Sequence, residues 1–185
     1  MKRQGLLSVT GILLLGLIVL MTLHEWGNPL DPAQREAFLN APVIIAKGVE
    51  AESFTDAGKL QYHLDADHLE QFDRTSKTLL TNPHLRVNND KGVWTISSKH
   101  GEVLDNGGLI LFQNDVQAHN AARKLTLKTD ELRYHSNTDT VEAPSSVKMT
   151  FQKGSTQAGS LHGNLKTGKM QLKQGVVSDF NGLKQ

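Results

Sequence analysis

From Pro42 onward, apolar and polar residues alternate with a period of two, the pattern of strands that turn one face to a core. "LQYHL" puts Leu60, Tyr62 and Leu64 on one face, and "WTIS" puts Trp94 with Ile96. "LILF" and "DVQA" pair Leu109 with Leu111 and Val116 with Ala118. "KLTLKT" and "ELRYH" align Leu125 with Leu127 and Leu132 with Tyr134, while "TVEA" and "SVKMTF" add Val141, Val147, Met149 and Phe151. Turn formers separate the runs: Asp56-Ala57-Gly58, Asn89-Asp90-Lys91-Gly92, Asp105-Asn106-Gly107-Gly108, Asn137-Thr138-Asp139 and Thr167-Gly168-Lys169. Their chemistry fits tight reversals, so strands of about five to eight residues, nearly all antiparallel, are predicted over residues 42–185.

The strands recur in blocks. "LDADHLEQFDRTSKTLLTNPHLRVN" from Leu64, "ISSKHGEVLDNGGLILFQNDVQAH" from Ile96, "LKTDELRYHSNTDTVEAPSSVKMT" from Leu127 and "TQAGSLHGNLKTGKMQLKQGVVSD" from Thr156 echo one another at offsets of 32, 31 and 29 residues. One such unit cannot bury its apolar face alone, whereas stacked units share an apolar interior between two sheets. A stack of this kind has a first and a last strand, unlike a closed barrel. The last run, "GVVSDF", carries Val176, Val177 and Phe180 with no proline to block it, and is open to another strand.

A different pattern precedes the strands. Leu6 to Leu23 run for 18 residues without a charge; as a helix they would span about 27 Å, near the roughly 30 Å of bilayer hydrocarbon. The segment exceeds the usual apolar core of a cleaved signal peptide, and His24-Glu25-Trp26-Gly27-Asn28-Pro29 offers no small-x-small cleavage site, so an uncleaved signal anchor is predicted. Lys2 and Arg3 place the N-terminus in the cytoplasm, and Trp26 suits the interface. Ser8, Gly11 and Thr22 fall near one helical face, where they would admit a partner helix or merely face lipid. Asp31, Pro32 and Gln34 predict a short helical turn on a tether. The expected organisation is a cytoplasmic stub over 1–5, the anchor over 6–23, the tether over 24–41 and an exported β-domain over 42–185.

Composition narrows the chemistry. Hydrophobic residues at 38% and charged residues at 21% fit one domain with a real core. Without Lys2 and Arg3 the chain has 18 basic against 19 acidic residues, which leaves no basic footprint for nucleic acid. There is no cysteine, and hence no disulfide, thiol nucleophile or thiolate metal site. The eight histidines, at 24, 63, 68, 84, 100, 119, 135 and 162, show no HxH, HxxH or HxxxH spacing. Asp65 and Asp67 share a strand face, but beside Leu64 and Ala66 that face is expected to meet solvent. No nucleophile elbow, phosphate loop or dinucleotide fingerprint occurs, so no enzyme activity, metal or cofactor is predicted.

The stretch "NPHLRVNNDKGVWTISSKHGEVLDNGGLILFQNDVQAH", with "ADHLEQF" before it and "GSLHGNLKTGKMQL" after, resembles the C component of the bacterial lipopolysaccharide export (Lpt) system, over nearly the whole chain. The resemblance implies an all-β, OstA-like β-jellyroll, open along one side, behind a single inner-membrane anchor. It further implies receipt of lipopolysaccharide from the ATP-driven transporter (the B, F and G components) and delivery to the soluble A component, with acyl chains inside the jellyroll. Leu64, Ile96, Leu111, Leu127, Tyr134, Val147, Met149 and Leu165 are the expected groove residues, each equally compatible with plain core packing. Val43, Ile45 and Val49 at one edge, and Val176, Val177 and Phe180 at the other, are the expected partner contacts. Gly159 and Gly163 are counted with the partner edge, where they are assigned to shaping the C-terminal end. Two other readings stay open: an anchored β-solenoid that docks partners without carrying lipid, and an anchored envelope enzyme leaning on Asp65, Asp67 and the histidines.

Overall fold

The computed structural model describes residues 41–72, 77–89 and 92–180. The predicted anchor, Trp26 and the helical turn at Asp31 lie outside the described residues, as do Asp90 and Lys91 of one predicted turn. Among the described residues, no helix is long and apolar enough to cross a membrane. The strands all belong to the unit Pro42–Gln185.

Among the described residues, fourteen antiparallel strands form one sheet that folds over on itself. In chain order they are β1 (Ile44–Phe54), β2 (Leu60–Phe72), β3 (Lys77–Thr81), β4 (His84–Asn89), β5 (Gly92–Ser97), β6 (His100–Leu104), β7 (Leu109–Asn120), β8 (Leu125–His135), β9 (Thr140–Ala143), β10 (Val147–Phe151), β11 (Gly154–Ala158), β12 (Ser160–Asn164), β13 (Lys169–Lys173) and β14 (Val177–Phe180). A 3-10 turn over Asp105–Gly107 joins β6 to β7. β1, β2, β7 and β8 run 11 to 13 residues, longer than the alternation predicts. β7 and β8 each carry two apolar stretches, which a reading based on period two splits into separate strands.

The long strands hold two layers together. The first part of β2 pairs with β4, and its last part with β3. The last part of β7 pairs with β5 and its first part with β6; β8 likewise pairs with β10 and then β9. The short strands make the same passage with a break at the corner. Each 30-odd-residue repeat is thus one passage from the first layer to the second and one passage back.

Register confirms this unit. One continuous rung runs Ala51, Leu64, Leu85, Ile96, Ala118, Leu127, Met149, Thr156, Ser178 across nine strands. The four repeat starts, Leu64, Ile96, Leu127 and Thr156, all stand on it. A second rung, in the other layer, runs Ala46, Leu69, Leu80, Gly101, Phe112, Leu132, and Ala143, Leu161 and Leu172 form another there.

Crossing between layers needs a corner that keeps apolar side chains inward. Two residues past each repeat start stands a small buried residue: Ala66, Ser98, Thr129 and Ala158. The polar members satisfy the bent backbone, with Thr129 Oγ1 donating to the Ser146 carbonyl at 3.0 Å and Ser98 Oγ to the His100 carbonyl at 2.6 Å. On β7 the corner is a bulge, where Asn114 and Asp115 take φ of 62° and 60° between Gln113 and Val116. Asn and Asp tolerate this left-handed region better than other side chains.

The core is one cluster drawn from both layers, with Trp94, Phe112, Leu85, Ile96 and Tyr134 at 1% exposure or less. The phase of "LILF" differs from expectation: Ile110 and Phe112 are buried, and Leu111 sits half-buried on the outer face between Glu102 and Arg133. Four consecutive apolar residues carry no alternation, so the sequence could not choose the face. Tyr134 donates its hydroxyl to Asp139 Oδ1 at 2.9 Å, and burial, then the neighbouring Asp139 charge, pushes the phenol far above its ordinary range.

Two stability measurements follow. Phe112→Ala should destabilise the β-domain by about 3–5 kcal/mol in urea denaturation, and Leu111→Ala by about 1 kcal/mol, the order an outward Phe112 would reverse. Tyr134→Phe should cost about 1 kcal/mol near pH 8 by losing its hydrogen bond. Above about pH 10 only the unfolded Tyr134 ionises, which removes roughly 1.4 kcal/mol of wild-type stability per pH unit, so the variant's deficit should vanish with rising pH. A deficit that stays constant from pH 8 to 11 would contradict the buried neutral phenol.

Candidate functional site

The interior is filled unevenly. Through the middle of the rungs the side chains are bulky, whereas at the N-terminal end β1 offers only Val49 and Ala51, and β2 offers Ala66. Between these small residues and β3, β6 and β7 a cavity of about 370 Å³ remains open. Leu64, Leu69, Leu80, Val103 and Ile110 give it an apolar wall; Gln71, Thr78 and Asn106 add polar groups. Its volume lies within the roughly 300–1,000 Å³ typical of ligand sites.

Of the eight residues expected in a groove, Leu64 alone lines this cavity. Ile96, Leu127, Tyr134, Val147 and Leu165 are 0–2% exposed, and Met149 is 8% exposed, so all six are packed core. Leu111 faces outward and is withdrawn from the groove. Val49, expected at a partner edge, stands on the edge strand β1 and also lines the cavity. Alternation marks which residues point inward but is blind to how completely facing side chains fill the gap, which is why Leu69, Leu80, Val103 and Ile110 were missed. One usable signal was present: Leu69 follows Leu64 by five residues, as Leu132 follows Leu127 and Leu161 follows Thr156.

The edges are where apolar surface is exposed. Val43, Ile44, Ile45 and Phe54 flank or belong to β1, and Val176, Val177 and Phe180 flank or belong to β14; together they are all the exposed large hydrophobics among the described residues. β1 pairs only with β2, and β14 only with β11. The second layer also ends in an open edge, β13, paired only with β12; the alternation of Met170 and Leu172 in "KMQLK" was its overlooked signal. Phe151 and Phe180 rings, 5.9 Å apart, and the Thr156 and Ser178 hydroxyls, 2.9 Å apart, hold β14 in place.

Gly159 and Gly163 are not on a free edge. Gly163 lies in β12 between β9 and β13, where a Cβ would collide with the Met170 thioether. Gly159 sits at the β11–β12 corner, its N–H donating to the Lys173 and Gln174 carbonyls at 3.1 and 2.7 Å, and a Cβ there would meet the Gln174 Cβ at 2.8 Å. Both permit β13 and its corner to approach, so they shape the C-terminal end from within.

The carboxylates and imidazoles lie on the outer face. Asp65 meets His84 Nδ1 at 3.3 Å and His63 Nε2 at 3.8 Å, and Asp67 accepts from Asn82 Nδ2 at 2.8 Å. Among the described residues, no group of three or more His, Asp or Glu side chains is placed to hold a metal ion.

No curated protein matches the chain in sequence. By structure it is similar to LptH, described as the LptA homologous periplasmic component of the conserved lipopolysaccharide transport device from Pseudomonas aeruginosa. The TM-score is 0.52 at 8% identity, over 65% of this chain and 95% of that one, a likeness of fold. The family model described as lipopolysaccharide-assembly, LptC-related, matches residues 11–180, and with that span matched the chain belongs to the LptC family.

Proposed function

We propose that this chain is the inner-membrane-anchored Lpt component that takes lipopolysaccharide from the ATP-driven B, F and G transporter and hands it to the soluble A component. Family membership supports lipopolysaccharide transport as the process. The observation that carries the finer reading is the cavity walled by Leu64, Leu69 and Leu80, an apolar shelter beside an exposed strand edge. Burying an acyl chain there removes about 0.8 kcal/mol of unfavourable hydration per methylene. The organisation proposed with it is a cytoplasmic N-terminus over 1–5, one membrane span over 6–23, a tether over 24–41 and a periplasmic domain over 42–185.

In this reading the cargo enters at the β1 end. The tether leads directly into β1, so this edge, with Val43 and Ile45, adds to the strands of the membrane transporter. β14, with Val177 and Phe180, receives the first strand of the A component. Strand addition supplies main-chain hydrogen bonds, and the exposed apolar side chains give it specificity. Beyond the cavity the core is packed, and the two layers must part for cargo to travel from β2 toward β14. A docking scaffold that carries no lipid is the alternative, and the two apolar edges alone would suffice for it.

A photo-crosslinking amino acid separates these readings. At Leu69 it should capture lipopolysaccharide in cells, and at Leu111 it should not; capture of partner proteins alone at Leu69 would establish the scaffold. The edge assignment has its own test. Val177→Pro removes a backbone donor from β14, and the variant should still co-purify with the transporter while losing the A component. Loss of the transporter with retention of the A component would reverse the edges, and retention of both would exclude strand addition at β14.

A further inference from the structure

A second cavity, also about 370 Å³, adjoins the first, with Tyr62, Asn106 and Gly107 in the walls of both. Its character is opposite. Ser53, Gln61 and Asn137 face it together with the turn Asp105–Gly108, and its lining contains no Lys, Arg or His. The side chains of Ser53, Gln61, Tyr62, Asn106 and Asn137 make no hydrogen bond to the described residues, which leaves hydroxyls and amides free to bond a ligand.

The turn between the cavities is held in an uncommon conformation. Asp105, Asn106 and Gly107 take φ of 50°, 52° and 91° in succession. Ser136 fixes it by donating Oγ to the Gly107 carbonyl at 2.7 Å and its N–H to the Gly108 carbonyl at 3.0 Å. A Cβ on Gly107 would stand 3.9 Å from the Tyr62 hydroxyl, in the wall shared by the two cavities. Glycine at this positive φ both relieves strain and keeps that wall thin.

We infer that this polar cavity is a headgroup site for the sugar of a glycolipid whose acyl chain lies in the apolar cavity, an inference that rests on the carriage reading above. An amphiphile laid across the Tyr62–Gly107 wall puts its apolar end against Leu64 and Leu69 and its polar end among neutral donors and acceptors. Amides and hydroxyls match sugar hydroxyl and amide groups. A phosphate would find no cation and would face the Asp105 carboxylate, so the sugar rather than a phosphate is the group recognised.

The test uses the full chain in Gram-negative cells, with a benzophenone amino acid at Asn137 or at Leu69. After irradiation, mild alkali frees ester-linked acyl chains from each adduct before mass analysis. The adduct at Asn137 should keep sugar mass, and that at Leu69 an acyl chain. An acyl adduct at Leu69 with no sugar adduct at Asn137 overturns the headgroup site and leaves carriage standing; no adduct at either position overturns both. Gln61→Ala combined with Asn137→Ala, two solvent-accessible changes, should lower capture at Leu69 about tenfold by deleting two amide partners. Undiminished capture in a variant with an unchanged thermal transition overturns the site.

Discussion

The constraint on which this structure depends is the register of the rung from Ala51 to Ser178. Nine strands must place one inward side chain each in line, and a slip of one residue would turn any of them outward. The small residues two positions past each repeat start secure the register, because they let the chain bend into the other layer without losing its inward face. The repeat offsets are then a geometric necessity: each repeat is the length of chain needed to cross both layers and return.

Side-chain size along that rung distributes the rest of the behaviour. Leu85, Ile96 and Leu127 in the middle meet the opposite layer and leave no space. At the β1 end Ala51 and Ala66 do not reach across, so the layers stand apart and a cavity opens. At the β14 end the rung closes with polar groups, Thr156 against Ser178. A sheet tapered in this way is closely packed at its centre and accessible at its ends. Both ends also expose backbone edges with apolar side chains, a combination that soluble proteins normally blunt with charge or proline. An assembly that joins end to end gives both features a use.

Much of the fold was legible. The period of two, the turn residues and the repeat offsets were enough for an all-β, antiparallel, open-ended architecture, and "GVVSDF" was rightly placed at an open edge. The exposed edge residues Val43 and Ile45 could be read because they stand where the chain enters its first strand. The site was less legible, since a cavity is a failure of side chains to meet, and that depends on which strands face each other. Ile96, Leu127 and Tyr134 point inward as the pattern requires, yet they pack rather than line. Leu111 failed for the simpler reason that an unbroken apolar run has no phase, and Gly163 because strand order, not composition, decides what lies over a glycine.

Carriage of an acyl chain in the cavity at the β1 end is the central claim. The direct measurement is intermolecular nuclear Overhauser contact between isotope-labelled lipopolysaccharide acyl chains and methyl groups of the protein. Contacts should appear at Leu64, Leu69, Leu80 and Val103 and be absent at Leu111. Acyl contacts confined to the outer face or to Val176 and Val177, with none at Leu69 and Leu80, would contradict the account.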